Sequence, residues 1–133
     1  MERRDYIQKQ IDQLTKALAN LLKRLLNTPS QGDALFSEVR DSLFSEHLDI
    51  DKILSQNSLE LINFLEKEYQ LTNEQLAPLA DILYLLAQKT VDPQLSKTIY
   101  LKALVLFNFL EQNESTFSMD RHFKIEQCKS MLR

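Results

Sequence analysis

One glycine, one cysteine and three prolines are spread over 133 residues, and each scarcity excludes something. Tight hairpins, bulges and phosphate-cradling loops lean on glycine for positive φ, so an all-β fold or a nucleotide loop is starved of it. A single cysteine, Cys128, allows neither an intramolecular disulfide nor a cysteine-based zinc framework. The longest apolar runs, "ILYLL" at 82–86 and "ALVLF" at 103–107, fall far short of the ~20 residues that cross a bilayer. The basic start, "MERRDYIQKQ", is followed by no uninterrupted apolar segment and no small-residue cleavage site. The glycosylation pattern Asn113-Glu114-Ser115 then reads as chance, and the cytoplasm is the expected compartment.

What remains is helix-forming. Leu, Gln, Lys, Glu and Ala dominate, residues that lose little side-chain freedom in a helix. With 44% apolar residues the chain carries enough to build one core, and its length suits one domain over 1–133. The expected fold is all-α: about six mostly antiparallel helices joined by short connections.

Residues 1–27 predict a long amphipathic first helix. Ile7, Ile11, Leu14, Leu18, Leu21 and Leu25 step by four and three, a heptad seam that Tyr6, Ala17, Leu22 and Leu26 widen. Lys9, Lys16 and Lys23 recur every seven residues away from that seam. The strongest break follows in residues 27–33, which contain Asn27, Pro29 and Gly32. Residues 33–112 predict helical hairpins. Leu35, Phe36, Val39, Leu43 and Phe44 mark one helix, Asp49 and Asp51 a capped turn through Leu54, and Asn57-Ser58-Leu59-Glu60 a capping box that opens the next. Thr72-Asn73-Glu74-Gln75 is a second capping box, ahead of a helix that contains Pro78. Asp92-Pro93 supplies an N-cap followed by a proline at the first helical position. Residues 118–132 predict the last helix, with Phe117, Phe123, Cys128 and Met131 as its apolar contacts.

The helix after Pro93 is apolar nearly all round. Ile99, Ala103, Leu106 and Leu110 form one face, while Leu101, Val105 and Phe109 fall on the other. Such a helix is either covered on both sides within its own chain or pressed against a partner.

Ser96, Tyr100 and Ala103, spaced as in "Ser-x-x-x-Tyr-x-x-Ala", resemble the small-aromatic-small pattern in helix B of a tetratricopeptide (TPR) repeat. Tyr84 and Ala87 stand where that repeat prefers Gly and Tyr, and no full 34-residue period recurs. Almost the whole chain resembles a bacterial domain-of-unknown-function family with TPR-like helices. The resemblance rests on Arg4-Asp5-Tyr6-Ile7 with Gln10, Ile11 and Leu14, and on Leu76, Leu79-Ala80-Asp81 and Leu83-Tyr84. It implies a helical scaffold and brings no site residues.

Chemistry-bearing residues are few. His47 among Glu46, Asp49 and Asp51 invites a metal reading, but no H-E-x-x-H spacing supports it, and a helix end followed by capping aspartates accounts for the pattern. His122 and Glu126 share a helix face as an i,i+4 surface pair. Cys128 lies about 240° round the helix from His122 and reads as a buried thiol. No catalytic residue, metal ligand or cofactor is expected.

Six basic residues against three acidic ones up to Asn27, and ten against sixteen after it, set a basic helix beside an acidic body. Nucleic acid is not the expected partner. The expected function is a non-catalytic protein-interaction or scaffold module that associates first with itself. One surface is expected at Leu101, Val105 and Phe109 and another at Leu22, Lys23 and Leu26. The alternative is membrane-surface association through the first helix.

Overall fold

A computed structural model describes the backbone of residues 2–28 and 32–133 and the side chains of 8–28, 32 and 34–133. Among these residues there are seven helices and no strand: α1 (Glu2–Asn27), α2 (Asp33–Ser45), α3 (Ile50–Ser55), α4 (Leu61–Tyr69), α5 (Asn73–Lys89), α6 (Pro93–Asn113) and α7 (Met119–Leu132). The break at residues 29–31 and the side chains of Tyr6 and Ile7 lie outside the described residues.

The helix beyond the expected six is α3. The Asp49 carboxylate accepts from the backbone N–H groups of Asp51 at 3.0 Å and Lys52 at 3.3 Å. Ile50 and Ile53, three apart, are both buried, and cap plus core contact turn an expected bend into a short helix. The Asn57 box does less than expected. Asn57 Oδ1 accepts from Glu60 N at 2.9 Å, but a turn intervenes and α4 begins only at Leu61, leaving Leu59 97% exposed.

Helices α5 and α6 make the most extensive contact, and α1 and α7 add to it, α1 on α5 and α7 on α6. The start of α5 is capped as its sequence predicts: Gln75 Oε1 accepts from the Thr72 N–H at 2.8 Å and the Thr72 hydroxyl at 2.7 Å. The helix runs unbroken through Pro78, whose missing N–H costs only a bond to the exposed Glu74 turn. Asp92 caps α6 through Gln94 N at 3.0 Å, with Pro93 at the first helical position. Small residues line this central pair. Ala80, Ala87 and Ala103 are buried, and the Ser96 hydroxyl donates to the Ala87 carbonyl at 2.8 Å.

The α1 seam is spent on this pair. Leu18, Leu21 and Leu25 are buried, and Leu14 and Leu22 pack half-buried against the same core. Gln75 Nε2 donates to Thr15 Oγ1 at 2.9 Å, and Lys89 Nζ donates to the Thr28 carbonyl at 3.1 Å. The thirteen-residue step from Thr15 to Thr28 thus matches the fourteen-residue step from Gln75 to Lys89, so the non-consecutive helices α1 and α5 ascend in the same sense. Gly32 closes the corner. Its N–H donates to the Lys89 carbonyl at 3.1 Å with φ at +84°. An added Cβ meets nothing nearer than Val91 Cγ2 at 3.8 Å, so the conformation rather than space calls for glycine. Helices α2, α3 and α4 fill the remaining flank with Leu35, Val39, Leu43, Ile50, Ile53, Leu61 and Leu65.

Candidate functional site

The two surfaces expected from sequence are partly open. On the outer side of α6, Leu101 is 37% exposed, while Val105 and Phe109 are half-buried against the core. Helix α6 is contacted by α3 and α4 as well as by α5 and α7. On α1, Leu22 packs half-buried against the core, Lys23 is exposed, and Leu26 is 64% exposed.

Between α1 and α2 lies an open trough. Its end nearest Thr28 has a volume of about 440 Å³ and is lined by Leu21, Leu25, Leu35 and Val39, with Lys23, Arg24 and Glu38 at the rim. Arg24 Nη2 reaches across to Ser42 Oγ at 3.1 Å. A larger cavity of about 710 Å³ sits further along, where Ile11 and Leu14 of α1 meet Glu46, His47, Tyr69 and Gln75.

That cavity contains the histidine singled out for metal, and its backbone explains it. His47 has φ at +66°, its N–H donates to the Phe44 carbonyl at 2.9 Å, and the Leu48 N–H donates to the Leu43 carbonyl at 2.9 Å. This pair of bonds is a Schellman ending of α2 with His47 in the left-handed position. Gln70, at φ +56°, is also left-handed after α4, but there the N–H groups of Gln70 and Leu71 both turn to the Leu65 carbonyl. Gln75 directs its amide to Thr72 and Thr15, and Tyr69 OH accepts from Asp49 N at 3.2 Å. Among the described residues no group of three or more His, Cys, Asp or Glu is placed to hold a metal ion.

Helix α7 departs most from expectation. Cys128 is buried as expected, and burial pushes its thiol up to about 11. Phe117, Phe123 and Met131 are not its core contacts: they are 63%, 64% and 44% exposed, and Met119 is 81% exposed. The buried residues are instead Ile125 and Cys128, with Arg121 and Lys124 half-buried beside them. Arg121 pairs with Glu114 at 2.9 Å, and Lys124 pairs with Asp81 and Asp120, each at 2.9 Å. Burial alone lowers the Lys124 pKa, but the bonds to Asp81 and Asp120 outweigh it and the net shift is upward. The expected His122–Glu126 pair does not form either. Glu126 meets Lys129 at 3.6 Å, and His122 lies against the Phe117 ring at 5.6 Å between centroids.

Met119 and Phe123 escaped the sequence reading as a surface because α7 carries two apolar stripes. The signal was present: steps of 100° put Met119 and Phe123 roughly 120–180° from Ile125 and Cys128. Only one stripe can face α5 and α6.

Among the described residues no helix is long and apolar enough to cross a membrane. Comparison with protein-family models, curated proteins and solved structures gives no match.

Proposed function

We propose that this chain is a non-catalytic protein-interaction module, a cytoplasmic helical scaffold of TPR-like build that associates first with itself. The observation that carries the reading is the exposure of large apolar side chains on outward helix faces, Leu26, Leu101, Met119 and Phe123, with Phe117 exposed in the loop before α7. Apolar faces of this kind are how helices dock onto other helices or into grooves. The extensive contact of α5 with α6, the Ser96 bond to the Ala87 carbonyl and the burial of Ala80 and Ala103 support the TPR-like part, since small residues let helices approach in such repeats.

The seam of α1 favours protein over lipid. Leu18, Leu21 and Leu25 are already buried, so a membrane would find chiefly Leu26 beside Lys9, Lys16 and Lys23. Sedimentation velocity across a wide concentration range tests the reading. A mass rising from 15.6 kDa toward twice that value is the expected result. Leu101→Glu reports whether the α6 face takes part. A monomer at every concentration contradicts self-association.

A further inference from the structure

Among the described residues only His47, at φ +66°, and Gln70, at φ +56°, combine a positive φ with a side chain, and both line the 710 Å³ cavity beside α1. They follow the ends of two different helices, α2 and α4, at the left-handed position where glycine is the usual occupant. Glycine would meet the backbone demand with less strain but would leave no side chain there. Left-handed residues other than glycine gather at ligand clamps and active sites. The cavity volume is within the roughly 300–1,000 Å³ of small-molecule sites, and Ile11 and Leu14 give it an apolar wall.

We propose that this cavity binds a small organic cation, an alkylammonium or alkylguanidinium whose stem lies on Ile11 and Leu14. Charge identifies the occupant. Glu46 is half-buried in the lining, and its carboxylate makes no hydrogen bond or ion pair among the described residues. The described lining contains no other carboxylate and no lysine or arginine. Helices α2 and α4 both end at the cavity, at Ser45 and Tyr69, and each C-terminus carries roughly −0.5 elementary charge. No basic residue stands in the last turn of α2, and Lys67 in that of α4 is exposed and outside the lining. Neutral acceptors complete the set, an amide oxygen each from Gln10 and Gln70 and a ring nitrogen of His47. A metal ion is a poorer match, since no three His, Cys, Asp or Glu converge among the described residues, whereas a guanidinium spreads five donors over separated acceptors. The site is distinct from the exposed apolar faces, so it stands whether or not the chain self-associates.

Two-dimensional NMR of the full chain, titrated with n-butylguanidinium and with its neutral analogue n-butylurea, tests the site. Butylguanidinium should saturably shift the backbone amides of His47 and Gln70 and the side-chain amide of Gln75, and should bind at least about 10-fold more tightly than butylurea. Glu46→Gln should weaken binding about 10-fold or more, the loss of one charge-assisted contact. Glu38→Gln, outside this cavity, should leave it unchanged. His47→Gly and Gln70→Gly should weaken binding while raising the urea midpoint, an inverse pairing that a purely structural role would not give. Equal affinity for butylurea, or unchanged binding in Glu46→Gln, overturns the cation. Two glycine variants that both bind like the wild type overturn the part assigned to the left-handed side chains. The absence of any saturable shift with millimolar butylguanidinium or n-butylammonium overturns the site itself.

Discussion

Replacing Gln75 by leucine removes the polar tie between α1 and the start of α5. Gln75 is 1% exposed and makes three bonds: two accepted from Thr72 and one donated to Thr15. Thr15 passes the link on by donating to the Ile11 carbonyl at 3.0 Å. Each bond contributes about 1 kcal/mol net, and leucine recovers roughly 1 kcal/mol by apolar burial in a similar volume. The Thr72 groups released lie at an exposed cap and turn to water. Gln75→Leu should therefore destabilise by about 2 kcal/mol, a fall of about 6–10 °C in Tm for a chain of this size. Urea unfolding of Gln75→Leu, Thr15→Val and the pair completes a double-mutant cycle, with an expected coupling of about 1 kcal/mol. Additive effects, or a Gln75→Leu loss under about 0.5 kcal/mol, refute the tie.

His47→Gly and Gln70→Gly should each stabilise by about 0.5–1 kcal/mol, because relief of the left-handed backbone exceeds the entropy glycine adds to the unfolded chain; a lower urea midpoint in either contradicts the strain argued for that position. Cys128 has its pKa raised by burial from 9.0 to about 11. Its contribution is therefore complete below pH 9 and lost as pH climbs toward 11, on the order of 2–3 kcal/mol. Cys128→Ala should flatten that alkaline slope in chemical denaturation, and an unchanged slope counts against it. Lys102 is 6% exposed and makes no hydrogen bond or ion pair among the described residues, and burial lowers its pKa. Lys102→Met should stabilise by about 1 kcal/mol at neutral pH, with the gain shrinking as alkali neutralises the wild-type lysine. A destabilised Lys102→Met reverses that account.

The parts of the fold that local chemistry decides were legible in the sequence. The heptad steps of α1, the Thr72–Gln75 box and the Asp92-Pro93 start are each set by neighbours within a turn or two. What depends on distant elements was not. Phe123 and Met131 read as core because both are apolar, yet α7 meets α5 and α6 on one side only and Cys128 and Ile125 take it. Val105 and Phe109 are half-covered within the chain, which depends on how distant helices pack on α6, and α3 itself was expected as a turn. The left-handed backbone of His47 has no sequence signature, since glycine is the usual residue there and this chain has just one.

The central claim, that outward apolar side chains are contact surface, is tested most directly by hydroxyl-radical footprinting at rising protein concentration. Oxidation of Phe117, Met119 and Phe123 should fall as copies associate, while Leu59 and Phe44, exposed elsewhere, keep their rates. Met119 oxidising equally fast at every concentration would contradict it.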